Sequence, residues 1–315
     1  MPGLGVAVAV LVLVGACTAS TPDDEPARAE GPTSSGSSRP APSEEPSGQP
    51  SGQPAEEPAE RSPQSAEPSA TVEEESEPAW LDSWPVGRRT LPVRPDGFGE
   101  VRRTPPELRV RRMPTTVEAL PPPPDDRWRG AVRPIGPRVR DRMGTSWEPG
   151  CPVGLRDLRH LTVTFWGFDR QPHTGELIVH EDHARGVLGV FRRLYDARFP
   201  IEQMTLPTSA ERDPTPSGDG NGTGAMVCRA TTGGTSYSAH AYGLALDLNP
   251  FQNPYLSGDL VIPELASAYL DRSWLRPGMV TPDGLVVRAF ADIGWSWGGD
   301  WQSLKDYQHF TATGR

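Results

Sequence analysis

Apolar positions are spread very unevenly along this chain. Val6 to Ala16 is an unbroken run of apolar and small residues that ends at Cys17. It is shorter than the ~20 residues a helix needs to cross a bilayer, and it fits the hydrophobic region of an export signal. From Thr18 to about Glu77 the chain is Pro, Ser, Gly, Glu and Ala, with Val72 the only large apolar side chain. Such a stretch buries too little surface to offset its chain entropy, so residues 18–80 read as a long disordered, acidic tether. Residues 81–147 shift to Arg and Pro with scattered Trp and the run Pro121 to Pro124. A small module, a strap on the following domain, a surface for anionic polymers and a plain linker all fit that composition.

Regular patterning begins near Cys151. Leu161 to Trp166 is rich in β-branched and aromatic residues and predicts a strand, and Gly175 to His180 predicts its hairpin partner. Ala184, Val187, Leu188, Phe191, Leu194 and Tyr195 recur at helical spacing behind an acidic first turn. They predict a helix over 181–199, stopped by Pro200. Ile201 to Leu206 predicts another strand and 207–224 a loop. Short hairpins mixed with a helix favour an α+β class, a small antiparallel sheet with flanking helices, over a doubly wound sheet. The folded domain is expected over 148–315.

Composition agrees with one domain and a tail. The 37 Pro and 33 Gly of the 315 residues are more chain breakers than a single compact domain of that length carries. The formal net charge of −10, concentrated in 18–80, argues against a nucleic-acid partner. Val14-Gly15-Ala16-Cys17 resembles the lipobox of bacterial lipoproteins, which implies cleavage before Cys17 and a lipid anchor on its thiol. No Lys or Arg lies between Met1 and Val6, and an ordinary cleaved signal is the alternative; either exports the chain. Cys151 and Cys228 then lie where disulfides persist, and a Cys151–Cys228 pair is expected, against two separate buried thiols.

Two segments carry chemistry. The first is Ser238-Ala239-His240-Ala241-Tyr242-Gly243-Leu244-Ala245-Leu246-Asp247-Leu248-Asn249-Pro250. In a strand its leucines face the core and Asp247 faces the other way. The second is Gly294 to Trp301 with Asp306-Tyr307-Gln308-His309-Phe310. Asp306 and His309 share a face if the chain turns helically there. His240, Asp247 and His309 supply the imidazole and carboxylate donors that catalytic zinc takes while keeping an open position. Asp306, off the metal, is then the candidate general base.

These motifs, SAHAYGLALDLNPFQNPY, WGGDW and DYQHF, resemble the zinc D-Ala-D-Ala carboxypeptidase and L-Ala-D-Glu endopeptidase family, the VanY-like and endolysin-like peptidases. The resemblance covers about Cys151 to Arg315. It implies the fold shared with the hedgehog signalling domain, Zn2+ on His240, Asp247 and His309, and Asp306 as catalytic base. It also implies that Arg229 steadies the substrate carbonyl and that Ser238 matches the family serine beside the first ligand. Asp at 306, with Gly-Gly-Asp-Trp before it, resembles the endopeptidase branch more than the carboxypeptidase branch.

Ser238, Tyr242 and Trp297 are the substrate-binding candidates, with core packing the competing role for Tyr242 and Trp297. Asp219 and Asn221, on the loop before Arg229, are further candidates for substrate contact. Asp300 is a candidate for holding a ligand histidine. The sequence thus predicts a monomeric, exported, lipid-anchored zinc peptidase outside the cytoplasm, cutting peptidoglycan stem peptides at an amide next to a D-amino acid. The alternative is a wall-binding lipoprotein that holds zinc without turnover.

Overall fold

The β-rich segment at Leu161 folds as the middle strand of an antiparallel sheet. The computed structural model describes residues 84–207, 216–232 and 234–314, all within one compact unit, Val72–Arg315. Cys17, the apolar run before it and the 18–80 segment lie outside the described residues. The first sheet has the order β1 (Gly130–Pro134), β2 (Leu158–Trp166), β3 (Pro172–His180). Leu161 stands opposite Leu177, and Val163 opposite Gly175. Leu161, Val163, Phe165, Leu177 and Val179 present one apolar face.

Helix α1 (Pro137–Met143) follows β1 and starts with Pro at its first position, where no intrahelical N–H is lost. Helix α2 (Glu181–Asp196) covers the sheet's apolar face. Its acidic first turn, Glu181 and Asp182, suits the positive end of the helix dipole. Ala184, Val187, Val190, Phe191, Leu194 and Tyr195 are buried along it, each large side chain contributing roughly 1.5–3 kcal/mol over exposure. The helix ends three residues before the sequence suggested, because Arg198 takes a left-handed conformation ahead of Pro200.

The C-terminal half adds two small sheets and helix α3 (Leu285–Ala291). One has the order β4 (Ala245–Asp247), β9 (His309–Thr311), β7 (Ser296–Trp297). The other has the order β6 (Leu260–Ile262), β5 (Tyr255–Ser257), β8 (Lys305–Asp306). Leu246, Leu248 and Phe310 join α2 and α3 in the main core, where the Phe290 and Phe310 rings stack 4.0 Å apart. The mixture is α+β. No helix among the described residues is long and apolar enough to cross a membrane.

Two expectations need correction. Structure is already built over residues 84–150, ahead of Cys151, where the pattern placed its start. Residues 84–113 lie across the domain as a strap, with Trp84, Leu91 and Leu108 packed against Phe251, Leu265 and Tyr269. Fully buried Arg111 grips Glu202, with Nε donating to Oε2 at 2.7 Å, and donates from Nη1 to the Asp219 carbonyl at 2.6 Å. Trp84 Nε1 donates to Asp219 Oδ2 at 2.8 Å, and Asn221 Nδ2 donates to Glu202 Oε2 at 2.6 Å. Asp219 therefore holds the strap, Asn221 braces Glu202 behind it, and both are buried. Strand β1 also falls inside the stretch whose composition left its role open.

The second correction concerns Ile201 to Leu206, which is extended but is not a ladder strand. Ile201 N donates to Trp166 O, Glu176 N to Met204 O, and Thr223 N to Gln203 O. The segment stitches different neighbours together one bond at a time, with Glu202 turned inward to Arg111.

Cys151 and Cys228, 77 residues apart, are joined by a disulfide.

Candidate metal centre

The β4–β9 ladder sets the site. Its register pairs Ala245 with Thr311, Leu246 with Phe310, and Asp247 with His309. Directly opposite residues of an antiparallel pair share a face, and faces alternate along each strand. Leu246 and Phe310 enter the core, so Asp247 and His309 emerge together on the other side. The third residue, His240, comes from the 3-10 turn Ala239–Tyr242. Ser238 caps that turn, its Oγ accepting from His240 N at 3.3 Å. Gly243 closes it at φ 68, and a Cβ there would lie 2.7 Å from His180 N, so only glycine fits.

His240 Nδ1 donates to the Ala225 carbonyl at 2.6 Å, which turns Nε2 toward the other two residues. Nε2 lies 3.3 Å from Asp247 Oδ2 and 3.2 Å from His309 Nδ1; His309 Nδ1 lies 3.0 Å from Asp247 Oδ1. Tetrahedral bonds of the length zinc makes to N and O separate the ligand atoms by roughly 3.3 Å. Donor types and spacings therefore both fit a divalent ion. This is the only group of three or more metal-ligating side chains that could share an ion among the described residues.

Burial alone would raise the Asp247 carboxyl, but the imidazoles of His240 and His309 hold it well below the usual carboxylate range. Asp306 goes the opposite way. Burial, followed by the neighbouring Asp247 charge, pushes it up to about 7, while His309, Gln308 and Arg229 pull it back. Its Oδ1 is buried and has no hydrogen-bond partner among the described residues. Two carboxylates with pKa values driven apart are suited to two different roles.

Asp306 and His309 are not on a helical turn. Asp306 ends β8, opposite Tyr255 of β5, and His309 begins β9 in a different sheet. The two residues, three apart in sequence, both crowd Gly298. A Cβ there would lie 2.6 Å from Asp306 O, 2.9 Å from Asp306 Cβ and 3.3 Å from His309 Cβ. The sequence reading missed this residue, although the Gly-Gly pair of the Trp-rich motif carried the signal. Trp301 packs beside this centre, its ring 5.4 Å from His309.

Arg229 is exposed on the rim of a cavity of about 190 Å³ that His240 and Asp247 also line. It follows Cys228 directly, and its loop is moored by the disulfide and by Tyr237 Oη, which donates to Gly150 O at 3.1 Å. Tyr242 is exposed on the turn that carries His240. Trp297 corrects the expectation of a substrate contact. It is 3% exposed inside the main core, and its indole donates to Tyr307 O at 2.8 Å. Asp300 is exposed on a surface turn.

Residues 232–312 match the family described as D-alanyl-D-alanine carboxypeptidase. The matched span is about a quarter of the chain and holds His240, Asp247, Asp306 and His309, while Arg229, Cys228 and the strap precede it. The match supports a peptidase. No solved structure gives a significant match to the chain.

Proposed function

We propose that this protein is a zinc-dependent peptidase that hydrolyses peptidoglycan stem peptides at an amide next to a D-amino acid. The observation that carries the reading is the convergence of His240 Nε2, Asp247 and His309 Nδ1 at spacings of 3.0–3.3 Å, with the Asp306 carboxyl close by. The family match over the same residues supports it.

Zinc held there supplies a Lewis acid and lowers the pKa of water toward 7. The chain's own residues do the rest. The Ala225 carbonyl keeps the His240 proton on Nδ1, so Nε2 stays a donor to the ion. Asp306 accepts a proton at Oδ1 and returns it to the departing amine. Arg229 presents its guanidinium where negative charge develops on the scissile carbonyl oxygen. The export signal and Cys17 give the enzyme an extracytoplasmic address on the membrane, with 18–80 as the tether that reaches the wall.

Mass spectrometry of muropeptides after incubation with the full chain and zinc tests this. Loss of one alanine identifies a carboxypeptidase, and release of the peptide after L-Ala identifies an endopeptidase. An unchanged muropeptide profile contradicts the proposal and leaves a zinc-holding wall binder.

A further inference from the structure

Glycines in this fold are of two kinds. At Gly218, Gly243 and Gly298 the protein itself demands them: an added Cβ would come within 2.5, 2.7 and 2.6 Å of a neighbour. Gly222 and Gly224 are different. Neither has a positive φ, and a Cβ would meet only Gln203 Nε2 at 3.6 Å and Pro207 Cγ at 3.8 Å, ordinary contact distances. Folding places no demand for glycine at either position.

Both nevertheless line the metal-site cavity. Gly224 pairs with the ligand Asp247: Gly224 N donates to Asp247 O at 3.0 Å, and Asp247 N donates to Gly224 O at 2.8 Å. Opposite residues in an antiparallel bridge share a face, so a side chain at 224 would rise beside the Asp247 carboxylate. Position 222, two residues back, lies on that same face. Thr223 between them points inward, fully buried, with Oγ1 accepting from Asn249 N at 3.1 Å. The alternation therefore leaves a strip of bare backbone beside the ligand carboxylate, with Arg229 at its rim.

We infer that Gly222 and Gly224 determine substrate specificity: their bare backbone is the floor on which the substrate chain lies beside the metal site, and it admits small residues such as alanine there. The inference rests on the peptidase reading and adds the size class of the residue bound next to the scissile amide. A cavity of about 190 Å³ is below the usual range of small-molecule pockets, which suits one short segment of peptide.

The test is Gly224→Val, with Gly222→Val beside it, since valine suits extended backbone. Substrates are the stem pentapeptide and analogues with glycine in place of each alanine. The expected result for Gly224→Val is a fall in kcat/KM of at least about tenfold on the parent peptide, through KM. Zinc stays at one per chain, the Tm stays within about 3 °C of the wild type, and the loss shrinks on the analogue whose glycine lies over the floor. Wild-type kcat/KM in both variants overturns the inference, as does an equal loss on every peptide. If the wild type cleaves none of these peptides, the peptidase reading has failed on its own. Calorimetric titration of the zinc-loaded proteins with the same peptides still reads the floor, expecting at least tenfold weaker binding by Gly224→Val, and equal affinity overturns it.

Discussion

Asp247 and His309 stand directly opposite each other across the β4–β9 ladder, with Oδ1 and Nδ1 3.0 Å apart. The sequence distance of 62 residues between them is closed by two hydrogen-bonded strands whose other faces, Leu246 and Phe310, are buried in the main core. The geometry of the centre is thus tied to the stability of the core behind it.

Asp306 and His309 should separate by function. Asp306→Ala is expected to keep zinc and lower kcat by about 10²–10⁴. His309→Ala is expected to lose zinc and turnover together. Kinetics on a stem peptide with zinc analysis of the same samples decides the point, and wild-type turnover by Asp306→Ala would remove it as the base.

Gly298→Ala places a methyl against Asp306 O and Cβ. Overpacking of this kind costs about 1–3 kcal/mol. Because the two residues it displaces belong to the site, activity should fall more than stability. Urea unfolding and kinetics on one preparation compare the two.

Much of this was readable in the residues, and the parts that were not share a cause. Helix α2 and strand β4 follow hydrophobic periods of their own, so local pattern revealed them. The strap has no period: Trp84, Leu91 and Leu108 are isolated contacts between prolines, and Arg111 finds Glu202 91 residues away. Asp306 and His309 are spaced as on a helix, yet they belong to two different sheets and both crowd Gly298, a contact no spacing rule describes. Trp297 shows the limit of composition, since a tryptophan near a site looks the same whether it walls a cleft or fills a core.

Arg111 should therefore behave as part of the domain. Arg111→Ala leaves Glu202 buried without its cation, which costs about 3–5 kcal/mol. A chain beginning after residue 113 should not fold. Chemical denaturation of the variant and circular dichroism of the truncated chain check both.

Trp297 and Tyr242 divide in the same way. Trp297→Ala is expected to lose about 3–5 kcal/mol of stability. Tyr242→Ala, at an exposed position, should stay within about 0.5 kcal/mol of the wild type. Any loss of activity in Tyr242→Ala then reports on substrate.

Glu176 gives a pH dependence. Burial would raise it, but His160 at 2.8 Å and the Arg142 guanidinium outweigh burial and lower it. A carboxyl depressed in the folded state stabilises above its unfolded pKa, near 4.3, and loses that contribution as pH falls through the lower folded value. Glu176→Gln should flatten the acid side of a stability-versus-pH curve measured by urea unfolding.

Function here requires that His240, Asp247 and His309 share one ion. Elemental analysis of the purified full chain measures this directly. One zinc per chain in the wild type, lost in each of His240→Ala, Asp247→Ala and His309→Ala while the fold is retained, is the predicted result. A wild type without zinc, or folded variants that all keep it, would contradict the account.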